Sequence, residues 1–161
     1  MVAVDLFSGC GGLSLGLEKA GIKIKAAFEN WIPAIEVYRN NFKHPVHEFD
    51  LSQVELASNV IRKYKPNIIV GGPPCQDFSS AGKRDENGGR GDLTISFAQI
   101  VVAVKPQWFL MENVDRISKT EVFQEAKKIL SEAGYGFTEQ VLDASFCGVP
   151  QKRKRMFLIG K

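Results

Sequence analysis

Hydrophobic positions along the chain follow two different periods, and segments with the two periods alternate. Short apolar runs of strand length, such as residues 2–7 (VAVDLF) and 67–72 (NIIVGG), are separated by segments of helical spacing, such as residues 54–64 (VELASNVIRKY). The same criteria predict further strands at 22–29, 46–49 and 107–113 and further helices at 11–21, 33–42, 93–104 and 121–134. This alternation predicts an α/β fold with a doubly wound, mostly parallel, Rossmann-like sheet.

The pattern changes near residue 136. Residues 136–144 (GFTEQVLDA) and 154–160 (KRMFLIG) both have the character of strands, and no helical segment separates them. Two strands joined without a helix can pair antiparallel, so we expect an antiparallel pair at one edge of the sheet. Ligands of this fold class bind at the carboxyl ends of the strands, and candidate functional residues are therefore sought there.

Composition narrows the class of protein. The 161 residues, 44% of them apolar, fit one globular domain with a real core. The start of the chain lacks a basic and then apolar signal segment, and no apolar run approaches the roughly 20 residues of a membrane span, so we expect a cytoplasmic protein. The three cysteines are odd in number and scattered, which argues against a disulfide framework. A net charge of +3 permits a polyanionic partner without requiring one.

A glycine-rich turn follows the first predicted strand, in residues 5–12 (DLFSGCGG). Glycines let the backbone approach a ligand closely, and the following helix directs its first N–H groups towards it. The turn departs from the G-x-G-x-x-G dinucleotide pattern because Ser14 stands where the third glycine would be. Glu29 ends the second strand and Asp50 follows the third. Either acid alone fits a solvated turn or helix cap, but together with the turn they suit an adenosine-containing cofactor.

Cys75 follows the fourth strand in residues 71–76 (GGPPCQ). Cysteine is more often a small buried residue than a nucleophile. Here two prolines stiffen the backbone before it, and its place at a strand end suits a thiol that attacks an electrophilic carbon once its pKa is lowered. The polar loop at residues 79–92 is either a plain solvent loop or a lid over the site.

Glu112 and Asn113 end the fifth strand, directly after the apolar residues WFLM. Partial desolvation there should raise the pKa of the Glu112 carboxyl and let it share or donate a proton. The alternative is a helix cap.

A basic cluster, residues 151–155 (QKRKR), introduces the last strand. Period two would place Gln151, Arg153 and Arg155 on one face, with Lys152 and Lys154 on the other. Such a cluster is either a solvated edge that discourages aggregation or a source of arginines that meet an anion or a carbonyl oxygen.

The remaining reactive side chains are given structural roles. His44 and His47 have the spacing H-x-x-H, but no second pair of metal-type ligands accompanies them, so we expect surface residues and no metal. Cys10 and Cys147 are expected to be structural, although Cys10 lies in the glycine turn.

Taken together, these motifs resemble the DNA (cytosine-5)-methyltransferase family. Residues 5–21 are similar to its S-adenosylmethionine-binding motif, and residues 71–82 (GGPPCQDFSSAG) to its catalytic Pro-Cys-Gln loop. The sequences RGDL, ENV and QKRKR resemble three further motifs of the family, in the same order and with similar spacing. The resemblance covers essentially the whole chain and implies the S-adenosylmethionine-dependent methyltransferase fold.

The resemblance also implies the site residues. Residues around S-adenosylmethionine would be Phe7, Ser8, Gly9, Cys10, Gly11, Gly12, Glu29, Asn30, Asp50, Leu51, Pro74 and Leu93. Among these, Glu29 would bind the ribose and Asp50 the adenine amino group. The catalytic residues would be Cys75, Gln76, Glu112, Arg153 and Arg155. Cys75 would be the nucleophile, Glu112 would contact N3 and the amino group of cytosine, and Arg155 its O2.

The implied activity is methyl transfer to C5 of a cytosine flipped out of double-stranded DNA, through a covalent adduct between Cys75 and C6. S-adenosylhomocysteine would be the other product. Family members continue beyond the Gln-x-Arg-x-Arg strand, so residues 1–161 are expected to be a catalytic domain that lacks its C-terminal part. Target recognition would come from that part or from a second chain. The family further implies restriction-modification, in the prokaryotic cytosol and at the nucleoid.

Three other interpretations are open at this point. A tRNA cytosine methyltransferase of the same ancestry would use the same catalytic residues on RNA. A cofactor-binding half would stay silent until a partner chain docks. A nicotinamide-dependent oxidoreductase would leave Cys75 and the basic cluster without a purpose.

Overall fold

The computed structural model describes residues 1–74 and 93–161, which form seven strands, five α-helices and two short 3₁₀ helices at Asp115–Lys119 and Ala144–Cys147. The strands are β1 (Val2–Leu6), β2 (Lys23–Glu29), β3 (Val46–Glu48), β4 (Ile68–Gly71), β5 (Trp108–Val114), β6 (Phe137–Asp143) and β7 (Lys154–Gly160). The helices are α1 (Gly12–Lys19), α2 (Ile32–Asn41), α3 (Val54–Arg62), α4 (Leu93–Val104) and α5 (Glu121–Glu132). Within the described residues, no helix is long and apolar enough to cross a bilayer.

The strands form one sheet in the order β3-β2-β1-β4-β5-β7-β6. Strands β1 to β5 pair parallel, and β7 runs antiparallel to both β5 and β6. The predicted fold class, with its antiparallel pair at one edge, is confirmed. Because β1 and β4 are neighbours and the connections leave in opposite directions from them, their carboxyl ends form the crevice where ligands of this fold class bind.

Helices cover both faces of the sheet. Val4 and Leu6 of β1 belong to the large core that contains residues of α3, α4 and α5. Ala3 points the opposite way, since successive residues of a strand face opposite sides, and it packs with Leu13 and Leu17 of α1. On the same side, Tyr38 of α2 packs against Ala27 of β2. The glycine turn therefore lies between the β1 strand end and the α1–α2 layer.

The two faces of the β6–β7 pair differ in burial. Met156 and Leu158 of β7 are fully buried against the α3–α5 side. On the other side, Leu142 of β6 and Ile159 of β7 are 44% and 40% exposed, and Phe157 between them is only half-buried. The described residues thus leave this apolar sheet face, which we call the open face, uncovered by a helix.

The prediction that residues 151–155 lie along one strand is wrong for residues 151–153. The strand begins at Lys154. Gln151 N–H donates to the carbonyl of Val149 across Pro150, at 2.8 Å, and the Arg153 N–H donates to the Asp143 carboxylate at 3.2 Å. These bonds turn the backbone before it reaches β7, so period two does not apply there.

Candidate active site

A cavity of about 520 Å³ lies at the carboxyl ends of β1, β4 and β5, where the fold class predicts the ligand site. It is lined by Asp5, Phe7, Ser8, Gly12, Leu13, Gly72, Glu112, Leu142, Ala144, Cys147, Arg153, Arg155 and Phe157. The wall therefore combines the glycine turn, the ends of two central strands and the β6–β7 pair.

The glycine turn shapes one end of this cavity. Phe7 has a φ of 56° and Gly11 a φ of 93°, and the Gly11 N–H donates to the Ser8 carbonyl at 2.9 Å. A side chain at position 11 would collide with the ring of Phe42, so only glycine fits this turn. The turn leaves the Ser8 hydroxyl buried, without a hydrogen-bond partner among the described residues, in the cavity wall.

Asp5 is a cavity residue that the sequence analysis missed. It is fully buried, and the Ser14 hydroxyl donates to its Oδ2 at 2.6 Å. Its other oxygen, Oδ1, has no hydrogen-bond partner within the described part of the chain. Burial raises the pKa of this carboxyl from 3.8 to about 7, against the lowering effect of the Ser14 hydrogen bond. The sequence feature that could have identified Asp5 is a single acid inside the apolar strand VAVDLF, because carboxyls are buried where they are paired or have a function.

Glu29 ties the glycine turn to the start of α2. Its carboxylate accepts hydrogen bonds from the backbone N–H groups of Gly9 at 2.8 Å, Asn30 at 2.9 Å and Trp31 at 3.0 Å. The carboxylate thus holds the turn beside the end of β2. Asn30 and Trp31 are exposed next to it.

The predicted cofactor residues do not all meet in one hollow. Phe7, Ser8 and Gly12 line the main cavity. Asp50 lines a separate hollow of about 410 Å³, and its Oδ1 accepts the Ser52 N–H at 3.0 Å. Leu51 is buried in the core beside it.

Glu112 and Arg155 form an ion pair across the cavity wall. The Glu112 Oε1 lies 3.1 Å from the Arg155 Nε, because β5 and β7 pair antiparallel at this point. Burial raises the pKa of Glu112, and the nearby Arg155 and Arg153 guanidinium groups oppose that rise. A Cβ added to Gly72 would lie 3.1 Å from the Glu112 Oε2, so the carboxyl packs directly against the end of β4.

Asn113 fixes the backbone that leads to the predicted nucleophile. Its side-chain Nδ2 donates to the Pro73 carbonyl at 2.7 Å, and its Oδ1 accepts the Val114 N–H at 2.8 Å. Pro74 is exposed beyond this anchor. Cys75 and Gln76, together with the proposed lid at residues 79–92, lie outside the described residues. The chain is described again from Leu93, which begins α4.

Two cysteines and two histidines differ from expectation, since Cys10 and Cys147 were expected to be structural and His44 and His47 to be surface residues. Cys10 and Cys147 are exposed, and Cys147 lines the cavity. The side chain of His44 is only 11% exposed, and its Nε2 lies 2.7 Å from the Tyr38 hydroxyl. His47 is half-buried and contacts the Tyr64 hydroxyl. Tyr38 of α2 packs against the His44 ring and Tyr64, two residues after α3, against the His47 ring, which spacing along the sequence does not reveal.

Curated relatives of the chain are Type II methyltransferases. It is 59% identical over 161 residues to M.HindV of Haemophilus influenzae, covering 100% of this chain and 53% of the relative. It is 55% identical to M.HgiDI of Herpetosiphon aurantiacus over 160 residues, covering 99% of this chain and 52% of the relative. The chain thus spans about half the length of these two relatives.

Solved structures agree with this result. A protein described as a DNA modification methyltransferase of an E. coli prophage superposes with a TM-score of 0.83 at 33% identity, covering 99% of this chain and 46% of that one. DNMT2 of Spodoptera frugiperda, a triple mutant, gives 0.84 at 28% identity, covering 99% and 49%. The family model described as C-5 cytosine-specific DNA methylase matches residues 1–161. The chain therefore belongs to the C-5 cytosine-specific DNA methylase family.

Proposed function

We propose that this chain is the catalytic domain of an enzyme that transfers a methyl group from S-adenosylmethionine to C5 of cytosine in DNA. The observation that carries the proposal is the Glu112–Arg155 pair. It lies in the same cavity as the glycine turn and beside Gly72, three residues before Cys75. A proton-sharing carboxyl, a guanidinium and a cofactor turn are the parts that this chemistry requires.

Glu112 and Arg155 would act on the cytosine ring. A carboxyl with a raised pKa can share a proton with N3, which stabilises the charge that appears there when a nucleophile adds to C6. Arg155 would hold O2, and its charge keeps the Glu112 pKa from rising further. Arg153 also lines the cavity and would add positive charge beside the base.

Cys75 would supply the nucleophile, with Gln76 beside it. Its thiolate would add to C6, and C5 would then take the methyl group. C5 would next lose its proton to a base, and the thiolate would leave C6 as the double bond between C5 and C6 re-forms. The Asn113 bond to the Pro73 carbonyl supports this role, because it anchors the backbone two residues before Cys75. A nucleophile needs such positioning, since small displacements of a reacting group lower rates strongly.

Members of the family use S-adenosylmethionine, which when bound supplies an electrophilic methyl group on a sulfonium. The cavity fits a cationic ligand of this kind, since the Asp5 Oδ1 and the Ser8 hydroxyl are buried polar atoms without partners among the described residues. Glu29, next to the glycine turn, would bind the ribose, and Asp50 the adenine amino group. The remaining predicted contacts are Phe7, Gly9, Cys10, Gly11, Gly12, Asn30, Leu51, Pro74 and Leu93.

DNA is the substrate that we favour. The relatives are named Type II methyltransferases, and those names do not favour a tRNA substrate. Lys152, Arg153 and Lys154 are exposed beside the cavity and suit a phosphate backbone. The target base would have to leave the duplex to reach Glu112.

Target recognition would come from a further segment or from a second chain. The chain spans about half the length of its relatives, and the open face of β6 and β7 offers apolar surface on which such a part would pack. By analogy with the relatives, we propose a restriction-modification role at DNA in the bacterial cytosol.

The test is covalent trapping. The protein is incubated with S-adenosylmethionine and with DNA or RNA that contains 5-fluorocytosine, whose fluorine cannot leave as a proton does. We expect a denaturant-resistant adduct on DNA that is absent in Cys75→Ala. An adduct on RNA alone would contradict the DNA assignment. Folded protein that binds S-adenosylmethionine but forms no adduct, either alone or with the part of a relative that this chain does not cover added, would contradict the proposed function.

A further inference from the structure

A continuous chain of side-chain hydrogen bonds runs from the cavity to the surface. The Ser14 hydroxyl lies 2.6 Å from the Asp5 Oδ2 and 2.7 Å from the Tyr38 hydroxyl. The Tyr38 hydroxyl lies 2.7 Å from the His44 Nε2, and the His44 Nδ1 lies 3.3 Å from the Glu18 Oε1. The Glu18 side chain is 41% exposed. This series of hydrogen bonds thus connects the fully buried Asp5 carboxyl to the Glu18 carboxyl, which contacts solvent.

The hydrogen bonds of this side-chain series can all be made in either of two donor directions, because each hydroxyl has one hydrogen to donate. With Asp5 ionised, Ser14 donates to it, Tyr38 donates to Ser14, and the His44 Nε2 donates to Tyr38. The His44 Nδ1 must then also carry hydrogen to bind Glu18, so the ring is an imidazolium. With Asp5 neutral and its proton on Oδ2, every bond reverses, so that Asp5 donates to Ser14, Ser14 to Tyr38 and Tyr38 to the His44 Nε2. A neutral His44 then binds Glu18 through its Nδ1 hydrogen.

The two states contain the same number of protons and differ only in where one of them lies. The charged groups that act on the chain are Glu29 beside Asp5 and Glu18 beside Tyr38 and His44. Burial raises the pKa of Asp5 to about 7 and lowers the pKa of His44. Without a ligand, the state with neutral Asp5 and neutral His44 is therefore favoured.

We propose that Ser14 and Tyr38 form a proton relay that makes His44 and Glu18 positioning residues for the cofactor. When a cationic group approaches Oδ1, which has no partner among the described residues, Asp5 gives its proton to the Ser14 oxygen. Ser14 then gives its own proton to Tyr38, and Tyr38 gives its own to the His44 Nε2. No proton is exchanged with solvent. The inference rests on the proposed function, because the cationic ligand is S-adenosylmethionine.

Nuclear magnetic resonance of the histidine rings tests the relay directly. The chain has two histidines, so both can be assigned in protein labelled with ¹⁵N-histidine. In the free protein, we expect neutral His44 to carry its hydrogen on Nδ1. When S-adenosylmethionine is added without nucleic acid, the titration midpoint of His44 should move upward, and that of His47 should stay where it was.

Two variants interrupt the relay, and one matched variant leaves it intact. Tyr38→Phe keeps the packing of the ring and should abolish the ligand-induced shift of His44. Glu18 is exposed, so Glu18→Gln should leave folding intact, and it should reduce the ligand-induced shift of His44. Tyr64→Phe removes the comparable tyrosine–histidine hydrogen bond to His47 and should leave the His44 shift unchanged.

Calorimetry of S-adenosylmethionine binding separates the possible failures. Binding without movement of the His44 midpoint would overturn the relay and leave the proposed function standing. An undiminished shift in Tyr38→Phe would overturn it as well. If no binding is found at any pH between 6 and 9, both the proposed function and the relay are wrong.

Discussion

Replacing Asp5 by Asn should make the stability of the protein less sensitive to pH. The folded protein keeps the Asp5 proton up to about pH 7, whereas the unfolded chain loses it near 3.8. Because the folded pKa is raised, the stability that this group contributes is complete below pH 3.8 and is lost as pH rises towards about 7. At about 1.36 kcal/mol for each pH unit, the loss amounts to at most about 4 kcal/mol. Asn stays neutral at every pH, and its side-chain amide can either donate a hydrogen bond to the Ser14 hydroxyl or accept one from it.

Urea unfolding of wild type and Asp5→Asn at several pH values between 4 and 8 measures this difference. We expect the free energy of unfolding of the variant, relative to that of the wild type, to increase as pH rises, by up to about 4 kcal/mol at pH 8. Glu36→Gln, which removes an exposed carboxylate from α2, is the control and should run parallel to wild type. Parallel curves for Asp5→Asn and wild type would refute the raised pKa of Asp5.

Three further predictions concern the β4 and β5 strand ends. Glu112→Gln should lower the rate of radioactive methyl transfer to DNA by about 10²- to 10⁴-fold while S-adenosylhomocysteine still binds, since proton sharing is lost; unchanged rates would exclude the role of Glu112. Gly72→Ala should lower transfer more than stability, because its Cβ would press on the Glu112 carboxyl, and a crystal structure of the variant should show the carboxyl moved. Asn113→Ala should lower the free energy of unfolding in urea by about 1–3 kcal/mol, because the Pro73 carbonyl and the Val114 N–H lose their partner; a change below about 0.5 kcal/mol would mean that this anchor is unimportant.

The sequence was sufficient to predict the strands of the sheet and the functional residues at the ends of these strands. Glu29 ends β2 and Glu112 lies two residues before the end of β5, because apolar runs of strand length stop at these residues, and the period of the pattern predicts this directly. Glycine at position 11 was readable for a similar reason, since a turn between strand and helix demands it.

Contacts between side chains that are distant along the sequence could not be predicted from it. Ser14, Tyr38 and His44 lie on α1, on α2 and after α2, and their hydrogen bonds depend on how the helices cross, which no local period encodes. The prediction that the basic cluster lies along a strand was wrong for a different reason. The Arg153 N–H donates to the side chain of Asp143, ten residues away, instead of to a backbone carbonyl, and the strand begins only at Lys154.

The position of β1 in the middle of the sheet has a consequence for synthesis of the chain. Its hydrogen-bonding partners are β2 and β4, and the second of these ends only at Gly71. At about 5–20 residues per second, a ribosome takes about 3–13 s to make the 65 residues from the end of β1 at Leu6 to the end of β4 at Gly71. During that time one edge of an apolar strand stays unpaired, which is the condition under which nascent chains aggregate or are bound by chaperones.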